Sequence, residues 1–88
     1  MNENKKMINF DSRDWDSIRD TINKINEAGE MQFGKTSEGE TIIFYVAKND
    51  DDKDILKTEV FENTGWIRTN YYDPYSFTVE ELYKKEPK

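Results

Sequence analysis

Thr41-Ile42-Ile43-Phe44-Tyr45-Val46-Ala47-Lys48 is the stretch on which the fold turns. In an extended chain Ile42, Phe44 and Val46 share one face, and Ile43, Tyr45 and Ala47 share the other. β-Branched and aromatic side chains dominate it, so it reads as a strand, and apolar residues on both faces predict a central strand covered on both sides. Working toward the N-terminus, Ser37-Glu38-Gly39-Glu40 has hairpin-turn chemistry, and Met31 and Phe33 alternate with polar residues. Residues 30–36 are therefore predicted to be the strand that pairs with it. Toward the C-terminus, residues 49–54 form an acidic loop and residues 55–62 a third strand. Asn63-Thr64-Gly65 then supplies a turn. Residues 66–72 form a fourth strand, with Trp66, Arg68, Asn70 and Tyr72 on one face and Ile67, Thr69 and Tyr71 on the other. Asp73-Pro74 ends it, because proline cannot donate to a ladder.

A helix precedes these strands. Trp15, Ile18, Ile22, Ile25 and Ala28 recur in steps of three and four, which makes one apolar stripe over residues 12–28. Asp11 and Ser12 are the predicted N-caps, Phe10 a staple and Gly29 the stop. Asp16, Asp20, Lys24 and Glu27 occupy the opposite face. Thr78-Val79-Glu80-Glu81 fits a capping box, which predicts a short helix over residues 79–85. The connections suit hairpins and leave no room for a parallel crossover. The sequence thus predicts an α+β fold: a long N-terminal helix packed on a four-stranded antiparallel sheet, then a short C-terminal helix. Residues 1–9 read as a flexible leader, 10–85 as a single domain and 86–88 as a tail.

Charge restricts the function. The chain has 88 residues, with 13 Lys+Arg against 19 Asp+Glu and a net charge of -6. Residues 11–83 hold 8 basic and 17 acidic side chains, a difference of -9. Such a body repels phosphate, which argues against direct binding to nucleic acid or an anionic membrane. With no Cys and no His, there is no disulfide, no thiolate metal site and no imidazole base. No Gly-rich phosphate loop or nucleophile motif appears. No catalytic residue, cofactor or metal is expected, and the protein is read as non-enzymatic. The polar first ten residues lack a signal-peptide core, which points to the cytoplasm.

Three places concentrate the chemistry. Asp50, Asp51, Asp52 and Asp54 form the densest charge run. A calcium loop starting at Asp50 fails, because Ile55 stands where glycine is needed and Phe61 where the closing Glu belongs. A solvated loop is the plain reading, and a row of carboxylates facing Lys or Arg on a partner is the sharper one. Asp16 and Asp20 lie on the outer face of the helix, where acids near the N-terminus also suit its dipole. Tyr71, Tyr72, Asp73 and Tyr75 form an aromatic edge suited to anchoring Arg-rich surfaces, although alternation buries some of these rings.

The helix–sheet–helix order loosely resembles the double-stranded-RNA-binding domain. Where that family carries a basic cluster, however, this chain reads Thr78-Val79-Glu80-Glu81, which excludes its mode of RNA binding. The acidic loop Asn49-Asp50-Asp51-Asp52-Lys53-Asp54, the stretch from Val60-Phe61-Glu62 to Tyr83, and the Tyr/Asn/Lys-rich, Cys- and His-free composition carry a second likeness. In these features the chain resembles small acidic proteins of phages and mobile elements of Gram-positive bacteria, type II-A anti-CRISPR proteins among them. This resemblance implies an inhibitor, working in a bacterial host cell, that occupies the basic nucleic-acid-binding surface of a nuclease. No site residue is carried over, since no family motif is matched. The alternative is a regulatory or assembly adaptor that uses its sheet edge or helix face; either is compatible with a monomer or a homodimer.

Overall fold

The computed structural model describes residues 10–85; the predicted leader and tail lie outside them. One helix, α1 (Trp15–Ala28), is followed by five strands: β1 (Gln32–Lys35), β2 (Thr41–Lys48), β3 (Asp54–Phe61), β4 (Trp66–Asp73) and β5 (Thr78–Lys85). The strands lie in the order β1-β2-β3-β4-β5, each antiparallel to the next. The α+β class and the antiparallel sheet agree with the sequence reading. The start of the helix, the strand count and the C-terminal helix do not.

α1 begins later than the predicted residue 12. Asp11 closes a turn of its own, accepting from Arg13 N–H at 3.0 Å. Asp14, with extended backbone, is the N-cap, and its carboxylate accepts from Asp16 N–H at 3.0 Å. Gly29, at φ 75°, closes the other end by donating its N–H to the Ile25 carbonyl at 2.9 Å. The stripe is buried as expected. Ile18, Ile22 and Ile25 pack on Ile42, Phe44, Leu56, Val60 and Tyr72, with Phe10, Trp15 and Val46 at the margin. Phe10 stacks edge-on against Phe44 and Tyr72, with centroids 5.3 and 5.7 Å away. It therefore caps the sheet rather than stapling the helix.

α1 covers β2 and β3 on one face only, so β2 is not roofed on both sides as predicted. Its outer face is screened by its neighbours on the sheet instead. Tyr45, Lys57 and Tyr71 stand in register across three strands. The Lys57 ammonium sits 5.2 and 5.7 Å from the two ring centroids, and the Tyr45 hydroxyl donates to Glu59 at 2.8 Å. Aromatic rings and the long lysine stem shield apolar surface here, and Ile55 and Ile67 on the same face are also buried.

The predicted C-terminal helix is strand β5. Its capping box and its Glu/Lys spacing suit a helix, but eight residues are too few to hold one alone. β4 meanwhile offers an uninterrupted eight-residue ladder. Cross-strand contacts add to it: Glu81 accepts from Asn70 at 3.4 Å and lies 3.8 Å from the Arg68 guanidinium, and Lys85 sits 5.6 Å from the Trp66 ring.

Candidate protein-binding surface

One end of the sheet collects most of the residues that the sequence singles out. Two connections meet there, the loop between β2 and β3 and the turn between β4 and β5. Asn49 builds the loop and ties it to the turn. Its side-chain oxygen accepts from the N–H groups of Asp51 and Lys53, both at 2.9 Å, and its amide donates to Asp73 at 3.0 Å. Asp73 in turn accepts from Tyr75 N–H at 2.9 Å and Ser76 N–H at 3.3 Å. Lys53 sits 5.7 Å from the Tyr75 ring.

α1 pins the same end from two points. Arg19 donates to the Pro74 carbonyl at 3.1 Å, and Trp15 meets Phe77 edge-on at 5.5 Å. These contacts hold Phe77 at φ 57°, in the left-handed region usually left to glycine. Farther along the helix, Asn26 donates to Asp54 at 3.0 Å.

The acids here divide by role. Asp54 is bound to Lys48 at 2.6 Å as well as to Asn26, and these partners hold its carboxyl below the usual carboxylate range. The same contact with Asp54 raises the Lys48 ammonium. Partial burial works against a charge on Asp73, but hydrogen bonds from Asn49 and from the Tyr75 and Ser76 N–H groups outweigh it and keep Asp73 low. Both residues therefore hold the scaffold. By contrast, the side chains of Asp50, Asp51 and Asp52 are exposed and make no hydrogen bond or ion pair among the described residues. Asp52 carries the loop through φ 63°.

On the outer face, this end encloses a hollow of about 480 Å³ lined by Lys48, Asp50, Tyr71, Asp73 and Glu80, with Ile55 also in its wall. Carboxylates beside a tyrosine ring suit the ammonium or guanidinium of a partner side chain. Glu80 is absent from the sequence reading because the Thr78–Glu81 capping-box pattern assigns it to a helix. Its strand phase, shared with Leu82 and Lys84, is the signal that would have found it.

Other predicted residues go elsewhere. Tyr72 is core, 7% exposed, and faces α1, so it is not a surface anchor. Asp16 and Asp20 are paired with Arg19 and Lys24 at 3.4 and 3.2 Å. They border a separate hollow with Phe10 and Asp11, while Arg19 and Asn26 occupy the flank of α1 that faces the acidic end. The helix acids and the loop acids thus do not merge into one face.

A larger hollow of about 530 Å³ opens on the helix side, where Gly34, Lys35 and Arg68 contribute to its lining. The charge of Arg68 is spent on Glu62, at 2.6 Å, and on Glu81. Among the described residues no group of three or more acidic side chains is arranged to hold a metal ion, and no helix is long and apolar enough to cross a membrane. Compared with protein-family models, curated proteins and solved structures, the chain matches none of them.

Proposed function

We propose that this protein is a small, non-enzymatic acidic inhibitor that binds the basic nucleic-acid-binding surface of a nuclease or another nucleic-acid-handling protein, a type II-A CRISPR nuclease being the first target to test. The observation that carries the reading is the division of labour at the acidic end. Asn49, Asp54 and Asp73 spend their hydrogen bonds on fixing this end, which leaves Asp50, Asp51 and Asp52 without a hydrogen bond or ion pair among the described residues, with Asp50 in the wall of the Tyr71-lined hollow. A rigid display of unpaired carboxylates loses little entropy when a row of Lys or Arg closes on it. In this reading Asp50, Asp51 and Asp52 make the ionic contacts, and the partner's cations replace Lys57 and Lys53 over the Tyr71 and Tyr75 rings.

The test is displacement of labelled DNA from the nuclease, followed by fluorescence anisotropy. The wild-type protein is expected to compete, more weakly as salt rises. The triple variant D50N/D51N/D52N should lose at least about tenfold in potency, while D16N/D20N stays close to wild type. Equal potency of the triple variant and wild type would sink the proposal.

A further inference from the structure

The acidic end leaves β5 unexplained. All eight of its residues are exposed, and Val79, Leu82 and Tyr83 are 51, 49 and 54% exposed. The direction of its main-chain groups follows from the ladders. Glu62 N–H donates to the Trp66 carbonyl at 2.9 Å. In an unbroken antiparallel register, the even residues of β4 then turn their polar groups to β3 and the odd ones to β5. By the same alternation Glu80, Leu82 and Lys84 bond to β4, while Val79, Glu81, Tyr83 and Lys85 aim their N–H and C=O groups outward, where no described residue meets them.

The strand is also divided by charge, with Glu80 and Glu81 in one half and Lys84 and Lys85 in the other. In a helix Glu80 would reach Lys84. In a strand they stand about 13 Å apart, and neither forms an ion pair among the described residues. Glu81 and Lys85 are already engaged, by Asn70 and Arg68 and by the Trp66 ring.

We propose that β5 is a self-complementary edge that joins two copies of this chain. The two β5 strands pair antiparallel about a two-fold axis at Leu82, making one continuous ten-stranded sheet. In that register Leu82 faces its own counterpart, and Glu80 faces the partner's Lys84 twice over by symmetry. Both pairs fall at non-hydrogen-bonded positions, where opposed side chains approach most closely. Val79, Glu81, Tyr83 and Lys85 supply the new ladder. Centring the pair on Tyr83 instead would match Glu81 with Lys85, both already occupied within the chain. Parallel pairing would set Glu against Glu and Lys against Lys. Charges on an exposed edge commonly guard against aggregation; here their order also admits one orientation. The opposite edge, β1, has only four residues, so association closes at two copies.

This inference stands apart from the nuclease proposal, and its test contains no nucleic acid. Sedimentation equilibrium from micromolar to millimolar concentration should show a monomer–dimer equilibrium for the wild type. E80K and K84E each place like charges at both symmetry-related positions, and each should raise the dimer dissociation constant by about tenfold or more. An equimolar mixture of the two should regain the dimer, because each chain then meets an opposite charge at both places. Circular dichroism verifies that both variants are folded. Since the chain has no cysteine, L82C should oxidise to a linked dimer, and Y83C, one position out of register, should do so far less. A wild type that stays monomeric throughout, single variants that dimerise like wild type, or a mixture that stays monomeric would each overturn the inference.

Discussion

β3 and β5 are both eight-residue strands, and both pair with β4, β3 over residues 56–61 and β5 along its full length. β3 buries Ile55, Leu56, Thr58 and Val60, whereas β5 buries nothing. The difference comes from cover. α1 crosses β2 and β3, and no described element crosses β5. Pairing alone places a strand in the sheet; burial on at least one face makes it contribute to the core.

The sharpest way to break this contrast is truncation. Leu56→Ala, at a fully buried position under α1, should lower the unfolding free energy by about 2–5 kcal/mol. Leu82→Ala should change it by no more than about 0.5 kcal/mol in the monomer. Urea denaturation at low protein concentration measures both, and similar losses at the two sites would refute the distinction. Asn49→Ala comes next. Asn49 is the hydrogen-bonded link between the loop leaving β2 and the turn entering β5, and its removal leaves two N–H groups and Asp73 without their partner. The expected cost is about 1–2 kcal/mol, together with faster amide exchange across residues 49–53. Gly29→Ala probes the end of the roof. At φ 75° a Cβ is strained although there is space for it, and a loss of about 1 kcal/mol is expected in thermal unfolding.

Acid should produce the smallest effect. Asp54 and Asp73 have folded pKa values below their unfolded ones. The stability they confer is therefore complete above the unfolded value of about 3.9 and lost as pH falls through the lower folded values. The melting temperature should stay level from pH 7 to 5 and fall below pH 4. Asp54→Asn and Asp73→Asn should each flatten that fall; a variant with an unchanged acid limb would remove its residue from the account.

The same contrast explains what the sequence could tell. α1, β2, β3 and β4 were legible because burial on one face writes a period into the chain: three and four for Ile18, Ile22 and Ile25, two for Ile42, Phe44 and Val46. β5 lies exposed on both faces, so no burial period distinguishes it, and its Thr78–Glu81 cap pattern with Glu–Lys spacing spells a helix just as well. At the acidic end, the exposure of Asp50–Asp52 was legible as loop chemistry. The bridging role of Asn49 was not, because its partner Asp73 is twenty-four residues away and becomes a neighbour only through the ladder. The fates of Tyr71 and Tyr72 were half legible. Alternation separates the two rings, but which face is roofed depends on where α1 docks.

The consecutive strand order has a consequence during synthesis. Each strand pairs only with those next to it in the chain, so every hairpin can close as soon as its second strand leaves the ribosome. α1 is the exception. It emerges before all five strands, yet the surface that shelters Ile18, Ile22 and Ile25 is finished only when β4 arrives with Tyr72. For that interval the nascent helix carries an uncovered isoleucine stripe, which is where a chaperone would engage the growing chain.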